Sequence, residues 1–341
     1  QYIASAINSG AKLVLSECEN ESDHGAVSYI QIKNHSLARL QVAVISFYQL
    51  NKQLFTLASA YYQSPEKSMT MIGITGTNGK TSTSQLLGQM LTNCQKPCAI
   101  IGTNGAGMVD DLQTLDNTTP SATDLVQFFS IFSQKKVNDQ KITHLAMEVS
   151  SHALEQSRVT GSTFDIAIFT NLSRDHLDYH GTLEAYGLAK RRLFEMPNVR
   201  CSIINSDDTY GESLASSLLE SQVNVLRYSI VSTDADIRVA NVEYSDRGIS
   251  ADFVSPWGNG TLNSQLLGPY NLSNLLAVIG SFGAQGASID ELLEVTSKLK
   301  TVPGRMEPVT FSDHSNINVI VDYAHTPDAL EKALKAAAIH A

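Results

Sequence analysis

The sequence contains few cysteines. Only four occur in 341 residues, at Cys18, Cys94, Cys98 and Cys201. Cys94 and Cys98 lie four residues apart, but no second pair completes a zinc-binding set. So few thiols in a chain of this length exclude a disulfide-stabilised scaffold and indicate reduced, structural cysteines in a cytoplasmic protein.

Basic residues and long apolar runs are scarce as well. Lys and Arg number 24 against 34 Asp and Glu, giving a net charge of −10, which argues against a bulk nucleic-acid binder. The longest apolar stretch near the start, residues 40–50, contains Gln41, Ser46 and Gln49 and is shorter than the roughly 20 residues of a membrane span. We expect no nucleic-acid partner and no membrane insertion, and we expect a monomer.

Neither end of the sequence carries a targeting or capping signal. Gln1 opens the chain without a basic and then apolar segment behind it, and residues 329–341 form an Ala-rich helical pattern without a terminal Gly. These features predict a piece of a longer protein, cut at both ends.

Strand and helix patterns alternate along most of the chain. This alternation predicts an α/β protein with a mostly parallel central sheet between two layers of helices, that is, three layers. Breaks at 64–67 and at Pro303-Gly304 divide the chain into a small, partial N-terminal α/β domain (1–66), a central domain (67–303) and the start of a C-terminal domain (304–341).

The same patterns predict individual elements. In the N-terminal domain we expect a helix over 2–8, strands over 11–15 and 30–32, and one long helix over 37–62. In the remainder we expect strands over 69–75, 98–103, 142–149, 164–170, 201–205 and 318–322, and helices over 82–91, 122–134, 183–196, 271–282, 289–298 and from 327 onward. Alternation with turns between 234 and 267 predicts antiparallel strands added to the sheet.

A glycine-rich loop, Gly76-Thr-Asn-Gly-Lys-Thr81, joins the first central strand to a helix. In this context backbone N–H groups can close around a phosphate chain at the helix N-terminus. Lys80 would reach a terminal phosphate, and Thr81 would bind Mg²⁺. The spacing is shorter than the standard motif, which needs Gly where Ile74 stands. The alternative is a structural turn with a surface lysine, against which the strand–loop–helix context argues.

Polar residues follow other predicted strands, at the ends where ligands bind in such sheets. They are Asn117-Thr118-Thr119, Glu148 with the following Ser-Ser-His, and the segment 171–180, which is rich in His, Asp and Arg. Glu148 could hold Mg²⁺ beside the phosphate loop or could be a first-turn acid of the next helix. His176 could bind a metal or a phosphate and Arg174 an anion; the alternative is a solvated polar turn.

Lys190 shares a predicted helix face with Tyr186 and Phe194. A lysine on a half-apolar face is of interest, but from composition alone the favoured interpretation is a lysine whose stem packs while its ammonium reaches water.

These motifs occur in an order that resembles the Mur ligase family. They are GTNGKT at 76–81, EVSSH at 148–152, TNLSRDHLDYH at 170–180, Ala189-Lys190, GPYN at 268–271, PGRME at 303–307 and DYAHTP at 322–327. The NTT at 117–119 and the DYAHTPDAL stretch resemble the members that add the third amino acid of the peptide. The resemblance covers nearly the whole chain.

The resemblance implies ATP-dependent amide bond formation in peptidoglycan precursor synthesis, through an acyl phosphate on UDP-N-acetylmuramoyl-L-alanyl-D-glutamate that the amine of meso-diaminopimelate or L-lysine attacks. It implies ATP and Mg²⁺ as cofactors, a central ATPase domain and a Rossmann-like C-terminal domain. Implied catalytic residues are Lys80, Lys190 and His176. ATP-binding residues would be Gly76, Thr77, Asn78, Gly79, Lys80, Thr81, Ser82, Asn271, Arg305 and Asp322. Metal ligands would be Thr81, Glu148, His176 and Lys190, the last as a CO₂-derived carbamate. Substrate-binding residues would be Asn117, Thr118, Thr119, Ser150, Gln156 and Arg158.

Two alternatives remain open. One is a folylpolyglutamate synthase-like ligase, which has a similar glycine-rich loop but against which 117–119 and 174–180 argue. The other is a nucleotide-binding fragment without ligase activity. The motif that marks meso-diaminopimelate users in the family lies beyond residue 341.

Overall fold

The computed structural model describes residues 2–33, 39–309, 319–325 and 327–340. Its first part is a small sheet flanked by helices. In chain order this part contains helix α1 Tyr2–Asn8, strands β1 Leu13–Cys18, β2 Val27–Lys33 and β3 Arg39–Tyr48, and helix α2 Leu50–Tyr61. β3 lies in the middle, parallel to β1 and antiparallel to β2.

The predicted long helix over 37–62 is wrong for its first half. Residues 39–48 form the central strand of this sheet, and the helix begins only at Leu50, after Gln49 in the left-handed region at φ 52°. Val42 and Val44 are buried two residues apart, which is the period of a strand. β-branched residues favour this state, and partners on both sides satisfy the backbone of β3. Residues 37 and 38 lie outside the described residues.

The remaining described elements form a large sheet, its helices and a small C-terminal piece. In chain order they are β4 Thr70–Thr75, α3 Lys80–Asn93, β5 Cys98–Gly102, β6 Gly105–Met108, β7 Asp111–Gln113, α4 Ala122–Gln134, β8 Lys136–Val137, β9 Gln140–Lys141, β10 His144–Glu148, α5 Ser151–Glu155, β11 Ile166–Phe169, α6 Leu177–His180, α7 Leu183–Arg191, β12 Cys201–Asn205, α8 Thr209–Glu220, β13 Val225–Ser229, β14 Ile237–Ser245, β15 Gly248–Ser255, β16 Gly258–Ser264, α9 Pro269–Gly283, α10 Ile289–Thr296, β17 Glu307–Val309, β18 Val319–Val321 and α11 Pro327–Ile339.

The large sheet has eleven strands within the described ranges, in the order β16-β15-β14-β13-β12-β11-β4-β10-β5-β6-β7. All pairs from β5 to β14 in this order are parallel, and an antiparallel hairpin extends each edge. The predicted α/β class with a mostly parallel sheet is therefore confirmed, as are the antiparallel strands after 234. The sequence patterns did not predict β6, β7, β8, β9, α6, α8, β13 or β17.

Alternate residues of the central strands enter two separate cores. Ile72 on β4 packs in a core with Leu86 of α3 and Leu275 of α9. Met71 packs in the other with Phe129 of α4 and Leu145. Both faces of the sheet are thus covered, which explains why the parallel strands are almost continuously apolar.

The strand order reverses beside β4. The chain leaves β4 through α3 to β5, then returns to place β10 between them and β11 on the other side of β4. In doubly wound sheets the ligand crevice lies at such a point, outside the carboxyl ends of the strands. Among the helices of the described ranges, none is long and apolar enough to cross a membrane.

Candidate active site

The glycine-rich loop after β4 cannot accept larger residues at two positions. Gly76 has φ 148°, and a Cβ there would overlap the Thr170 hydroxyl. Gly79 has φ 87°, and a Cβ would lie 2.5 Å from Asn274 Oδ1. Both positions combine a positive φ with close contact to neighbouring elements, so only glycine fits them without strain.

The end of β11 holds this loop in place. The Asn171 amide accepts from the backbone N–H of Asn78 at 3.0 Å and donates to the Asn78 carbonyl at 3.1 Å. The Thr170 hydroxyl donates to the same carbonyl at 2.6 Å, and Thr77 N–H donates to Asn171 O at 2.8 Å. The loop is therefore fixed in one conformation, with its peptide groups oriented by residues of the predicted motif.

Lys80 begins α3 and folds back over the loop. Its Nζ donates to the carbonyls of Gly76 at 2.9 Å and Thr77 at 2.8 Å. Burial lowers the pKa of Lys80, while the nearby carboxylates of Glu148 and Asp175 oppose that shift. This partly buried, hydrogen-bonded amine is not the exposed lysine of a simple structural turn.

Glu148 lies at the end of β10, next to this loop, and is 1% exposed. Its carboxylate accepts from the Thr81 hydroxyl at 3.1 Å and from Thr103, through the backbone N–H at 2.9 Å and the hydroxyl at 3.2 Å. A Cβ at Gly102 would overlap this carboxylate. Burial raises the pKa of Glu148, against the effect of Lys80 and of these hydrogen bonds.

Glu148 is not a helix-capping acid. The N-cap of α5 is Ser150, whose hydroxyl accepts from Ala153 N–H at 3.2 Å. The alternative interpretation of Glu148 as a first-turn acid is therefore wrong, and its carboxylate contacts Thr81 at the end of the glycine-rich loop instead.

A cavity of about 500 Å³ opens above the loop. Many of the predicted residues line it: Thr77, Asn78, Gly79, Lys80, Thr81, Ser82, Thr118, Glu148, His176, Asn271, Arg305 and Asp322. Within the described residues, other predicted positions lie outside the lining: Gly76, Asn117, Thr119, Ser150, Gln156, Arg158 and Lys190.

The C-terminal residues close one side of the cavity. Arg305 Nη2 lies 3.4 Å from the Thr81 hydroxyl, and its guanidinium stacks over the Tyr323 ring at 4.6 Å. Burial lowers the pKa of Arg305, and the nearby Glu148 and Asp322 act against it. Asp322 accepts from the backbone N–H groups of Met306 and Ala324, both at 2.9 Å. A cation and a carboxylate from the last part of the chain thus line the same cavity as the glycine-rich loop.

Asn271 occupies the first turn of α9 and is buried. Its Nδ2 donates to Leu267 O at 2.9 Å, across the Gly268-Pro269 helix start. This contact fixes the amide at the cavity wall.

Lys190 lies beneath the loop rather than at the surface. It is 1% exposed, its Nζ donates to Gly76 O at 2.8 Å, and it lies 4.1 Å from the centroid of the Tyr186 ring. The predicted shared helix face is confirmed for Tyr186 and Lys190, which both lie in α7, but not for Phe194, which is buried beyond the end of that helix at Arg191. The interpretation of Lys190 as an ordinary surface lysine is wrong. Burial, and secondarily the charge of Lys80, lower its pKa well below the usual value.

His176 lies at the entrance of the cavity with a half-exposed side chain. It is the N-cap of the short helix α6, at φ 53°, and its Nε2 lies 3.5 Å from Asp175 Oδ2. The His152 ring lies 4.9 Å from the His176 ring. Burial lowers the pKa of His152, and the charges of His176 and Arg158 add to the shift.

The predicted substrate residues form a second group beside the cavity. The Thr119 hydroxyl donates to Glu148 O at 2.8 Å and accepts from Ser150 N–H at 3.0 Å. Arg158 Nη1 donates to Thr119 O at 2.7 Å. The Thr118 and Thr103 hydroxyls lie 3.1 Å apart. This group is continuous with the Glu148 end of the cavity, and Asn117 beside it is exposed.

The predicted metal ligands are only partly assembled. Thr81 and Glu148 are in contact, whereas the Lys190 amine is bonded to Gly76 O. Within the described ranges, no group of three or more His, Cys, Asp or Glu side chains is arranged to hold a metal ion.

Some cavity residues were not predicted from the sequence. Thr103 follows β5 and supports Glu148, while Asn205 ends β12 and donates to Thr170 O at 2.7 Å. Asp208 caps α8 and accepts from Leu172 N–H at 2.9 Å. Each lies at the carboxyl end of a parallel strand or just after it, so the rule used for Glu148 could have found them.

Comparisons with known proteins identify the family of this chain. The Mur ligase middle domain family matches residues 74–282. A UDP-N-acetylmuramoyl-L-alanyl-D-glutamate–2,6-diaminopimelate ligase of Ectopseudomonas mendocina (strain ymp) is 42% identical over 99% of this chain and 65% of its own length. The ligase of the same name from Haemophilus influenzae (strain 86-028NP) is 41% identical over 100% of this chain and 67% of its own.

A solved structure of a ligase of this name is 34% identical, with a TM-score of 0.76 over 90% of this chain and 61% of that one. The chain thus spans about two thirds of the length of the relatives that it matches. With the glycine-rich loop and Glu148 inside the matched residues, this chain belongs to the Mur ligase family.

Proposed function

We propose that this chain carries the ATP site, and part of the substrate site, of an ATP-dependent ligase. The ligase would join 2,6-diaminopimelate to UDP-N-acetylmuramoyl-L-alanyl-D-glutamate in peptidoglycan precursor synthesis. The observation that carries the proposal is the contact of Thr81 with the buried Glu148 at the end of the glycine-rich loop, inside a cavity large enough for a nucleotide. We place the protein in the cytoplasm, as a monomer, with domains divided near 66 and 303.

The donor set fits a magnesium nucleotide. A hydroxyl and a carboxylate are hard oxygen ligands of the kind that Mg²⁺ prefers, and here they lie 3.1 Å apart. Mg²⁺ held by Thr81 and Glu148 would neutralise phosphate charge when bound. Lys80 would add a cation on the phosphate side, and Arg305 and Asn271 would contact the nucleotide, with Asp322 on its ribose.

The buried ionisable groups of the site support the same proposal. Burial disfavours the charged forms of Lys80, Glu148 and Lys190 alike. A polyanion and a divalent cation entering together would supply opposite charges to each of these groups. The reaction needs this neutralisation of charge, because a negatively charged carboxylate must approach a negatively charged phosphate.

We further propose that Lys190 acts as a carbamate. A buried amine with a lowered pKa has its neutral form accessible, and this is the form that reacts with CO₂. The product would be a carboxylate on the Lys190 side chain, beside the loop. Together with the His176 imidazole, this carboxylate would form a second set of metal ligands.

The amino acid and the UDP substrate are assigned by similarity. The matched relatives are named as 2,6-diaminopimelate ligases, which favours diaminopimelate over lysine. Thr118, Thr119, Ser150, Gln156 and Arg158 would bind the UDP-linked dipeptide beside the ATP site, with Asn117 at the exposed edge.

A ligation assay tests the proposal against both alternatives. The protein at its full natural length is incubated with ATP, Mg²⁺ and either UDP-N-acetylmuramoyl-dipeptide with diaminopimelate or dihydropteroate with glutamate. We expect ADP release and a mass increase of one diaminopimelate residue on the first substrate alone. Glutamate addition to dihydropteroate would favour a folylpolyglutamate synthase. ATP binding without product from either pair would favour a nucleotide-binding module.

A further inference from the structure

A polar network links Tyr179 of α6 to Gln156 and Arg158. The Tyr179 hydroxyl donates to Glu155 Oε2 at 2.5 Å and accepts from Gln156 Nε2 at 3.1 Å. Gln156 Oε1 accepts twice from Arg158, through Nε at 3.0 Å and Nη2 at 2.6 Å. Arg158 Nη1 then donates to Thr119 O. The network therefore runs from the exposed Glu155 carboxylate to Thr119, whose hydroxyl donates to Glu148 O.

Each hydrogen bond in this network has only one possible direction. A carboxylate such as Glu155 accepts only, so the Tyr179 hydroxyl must donate to it. The phenol oxygen is then left as the acceptor, and it selects the NH₂ end of the Gln156 amide. A guanidinium donates only, so Arg158 must meet the oxygen end of that amide. Both ends of the Gln156 side chain are thus assigned, and a flipped amide would place donors against donors at Arg158.

This direction determines what the two side chains offer a ligand. Both lone pairs of Gln156 Oε1 are used by Arg158. Among the described residues, three of the five N–H bonds of Arg158 and one of the two of Gln156 have protein partners. The remaining groups are donors, and no acceptor is left over. Such a surface favours a carboxylate or another anionic oxygen group over a neutral amide.

The ring of Tyr179 is held independently of its hydroxyl. It packs on His152 with the ring centroids 4.2 Å apart and an interplanar angle of 41°. Removing the hydroxyl alone therefore leaves the packing of α6 on α5 in place. The contribution of the hydrogen bonds can then be separated from that of the ring.

We propose that Tyr179 and Glu155 are positioning residues, which fix the direction of the Gln156 amide and so keep the Gln156–Arg158 pair as a donor-only site for an anionic group of the substrate. The inference rests on the proposed function, because it takes Gln156 and Arg158 to face the UDP-linked dipeptide. Neither Tyr179 nor Glu155 has to touch the substrate for this role.

The test is Tyr179→Phe in the protein at full natural length. We expect the KM for the UDP-linked dipeptide to rise about 3- to 10-fold, as for the loss of one or two hydrogen bonds, with kcat and the KM for ATP changed by less than about twofold. Glu155→Gln should act in the same direction, because an amide allows the Tyr179 hydroxyl to turn. Tyr61→Phe, at an 81% exposed tyrosine of α2, is the matched control and should change none of these constants.

A double-mutant cycle with Gln156→Met completes the test. If Tyr179 acts through Gln156, adding Tyr179→Phe to Gln156→Met should raise that KM by less than about 1.5-fold further. An unchanged KM in Tyr179→Phe, additive effects in the cycle, or an equal loss in kcat with a lower Tm would each overturn the inference. Absence of ligation by the unmodified protein would instead refute the proposed function.

Discussion

Replacement of Lys190 by Met should make the protein more stable and inactive. The Lys190 ammonium is almost fully buried, and its Nζ donates a hydrogen bond to Gly76 O. An ammonium has three N–H donors, so the charged form is poorly satisfied in this position. Gly76 O does not lose its only partner in the variant, because Lys80 Nζ also donates to it at 2.9 Å. Met replaces most of the stem and keeps its contact with the Tyr186 ring.

The expected gain follows from the cost of burying the polar group. Taking an incompletely paired polar group out of water costs on the order of 1–3 kcal/mol, and Lys190→Met should recover an amount in this range at pH 7. The pKa of Lys190 is lowered in the folded state, so the unfolded state binds more protons, and the stability of the unmodified protein rises with pH. The penalty is largest at low and neutral pH and fades as the pH approaches the unfolded lysine value of about 10.4. The advantage of the variant should fade over the same interval.

Urea unfolding in bicarbonate-free buffer measures this difference. Fluorescence of Trp257, the single tryptophan, reports on the end of α9, against which it packs at Gly283. Lys67→Met, at an exposed lysine, is the matched control and should not reproduce the gain. A Lys190→Met protein that is less stable than the unmodified one at pH 7 would refute the reasoning. So would a difference that stays constant from pH 7 to 10.

Three further predictions concern the loop, the carboxylate and the thiols. Lys80→Ala should lower turnover by about 10²–10³ with little change in Tm, since the lost bonds go to loop carbonyls; normal steady-state kinetics would contradict this. Gly102→Ala should displace Glu148 and weaken ATP·Mg²⁺ binding by at least about tenfold in calorimetry, and unchanged affinity would show that this carboxylate is not needed. Burial raises the pKa of Cys98 to about 12 and that of Cys201 to about 11, so both thiols should stay protonated at pH 8. A thiol reagent should label them only after unfolding, and fast labelling of the native protein would be inconsistent with this burial.

The features that could be predicted from the sequence are those formed by residues close together in the chain. The strand, glycine-rich loop and helix at 70–93 are contiguous, and each has a distinct pattern, so this strand–loop–helix unit could be predicted from its own residues. Glu148 was predicted for a similar reason, since it ends a buried strand in which Leu145, Ala146 and Met147 are apolar. The same rule could have found Thr103, which follows β5, but its contact with Glu148 depends on β5 lying next to β10, which is a pairing between distant segments.

The wrong predictions for residues 39–48 and for the burial of Lys190 also arise because the sequence does not show contacts between distant segments. The strand at residues 39–48 is followed at once by helix α2. Because no turn residues separate the two, the sequence does not reveal where the spacing of apolar residues changes from the strand period of 2 to the helix period of 3.6. Lys190 was placed correctly on the helix face of Tyr186, but its depth depends on how α7 packs under the loop. Only the three-dimensional packing distinguishes a buried amine from one that reaches water.

The central claim is that the cavity above the glycine-rich loop binds ATP with Mg²⁺. Isothermal titration of ATP·Mg²⁺ into this chain, and into its Lys80→Ala variant, tests it most directly. We predict saturable binding at one site per chain, weakened at least about tenfold by the substitution. The absence of saturable binding, or equal affinity in the two proteins, would contradict it.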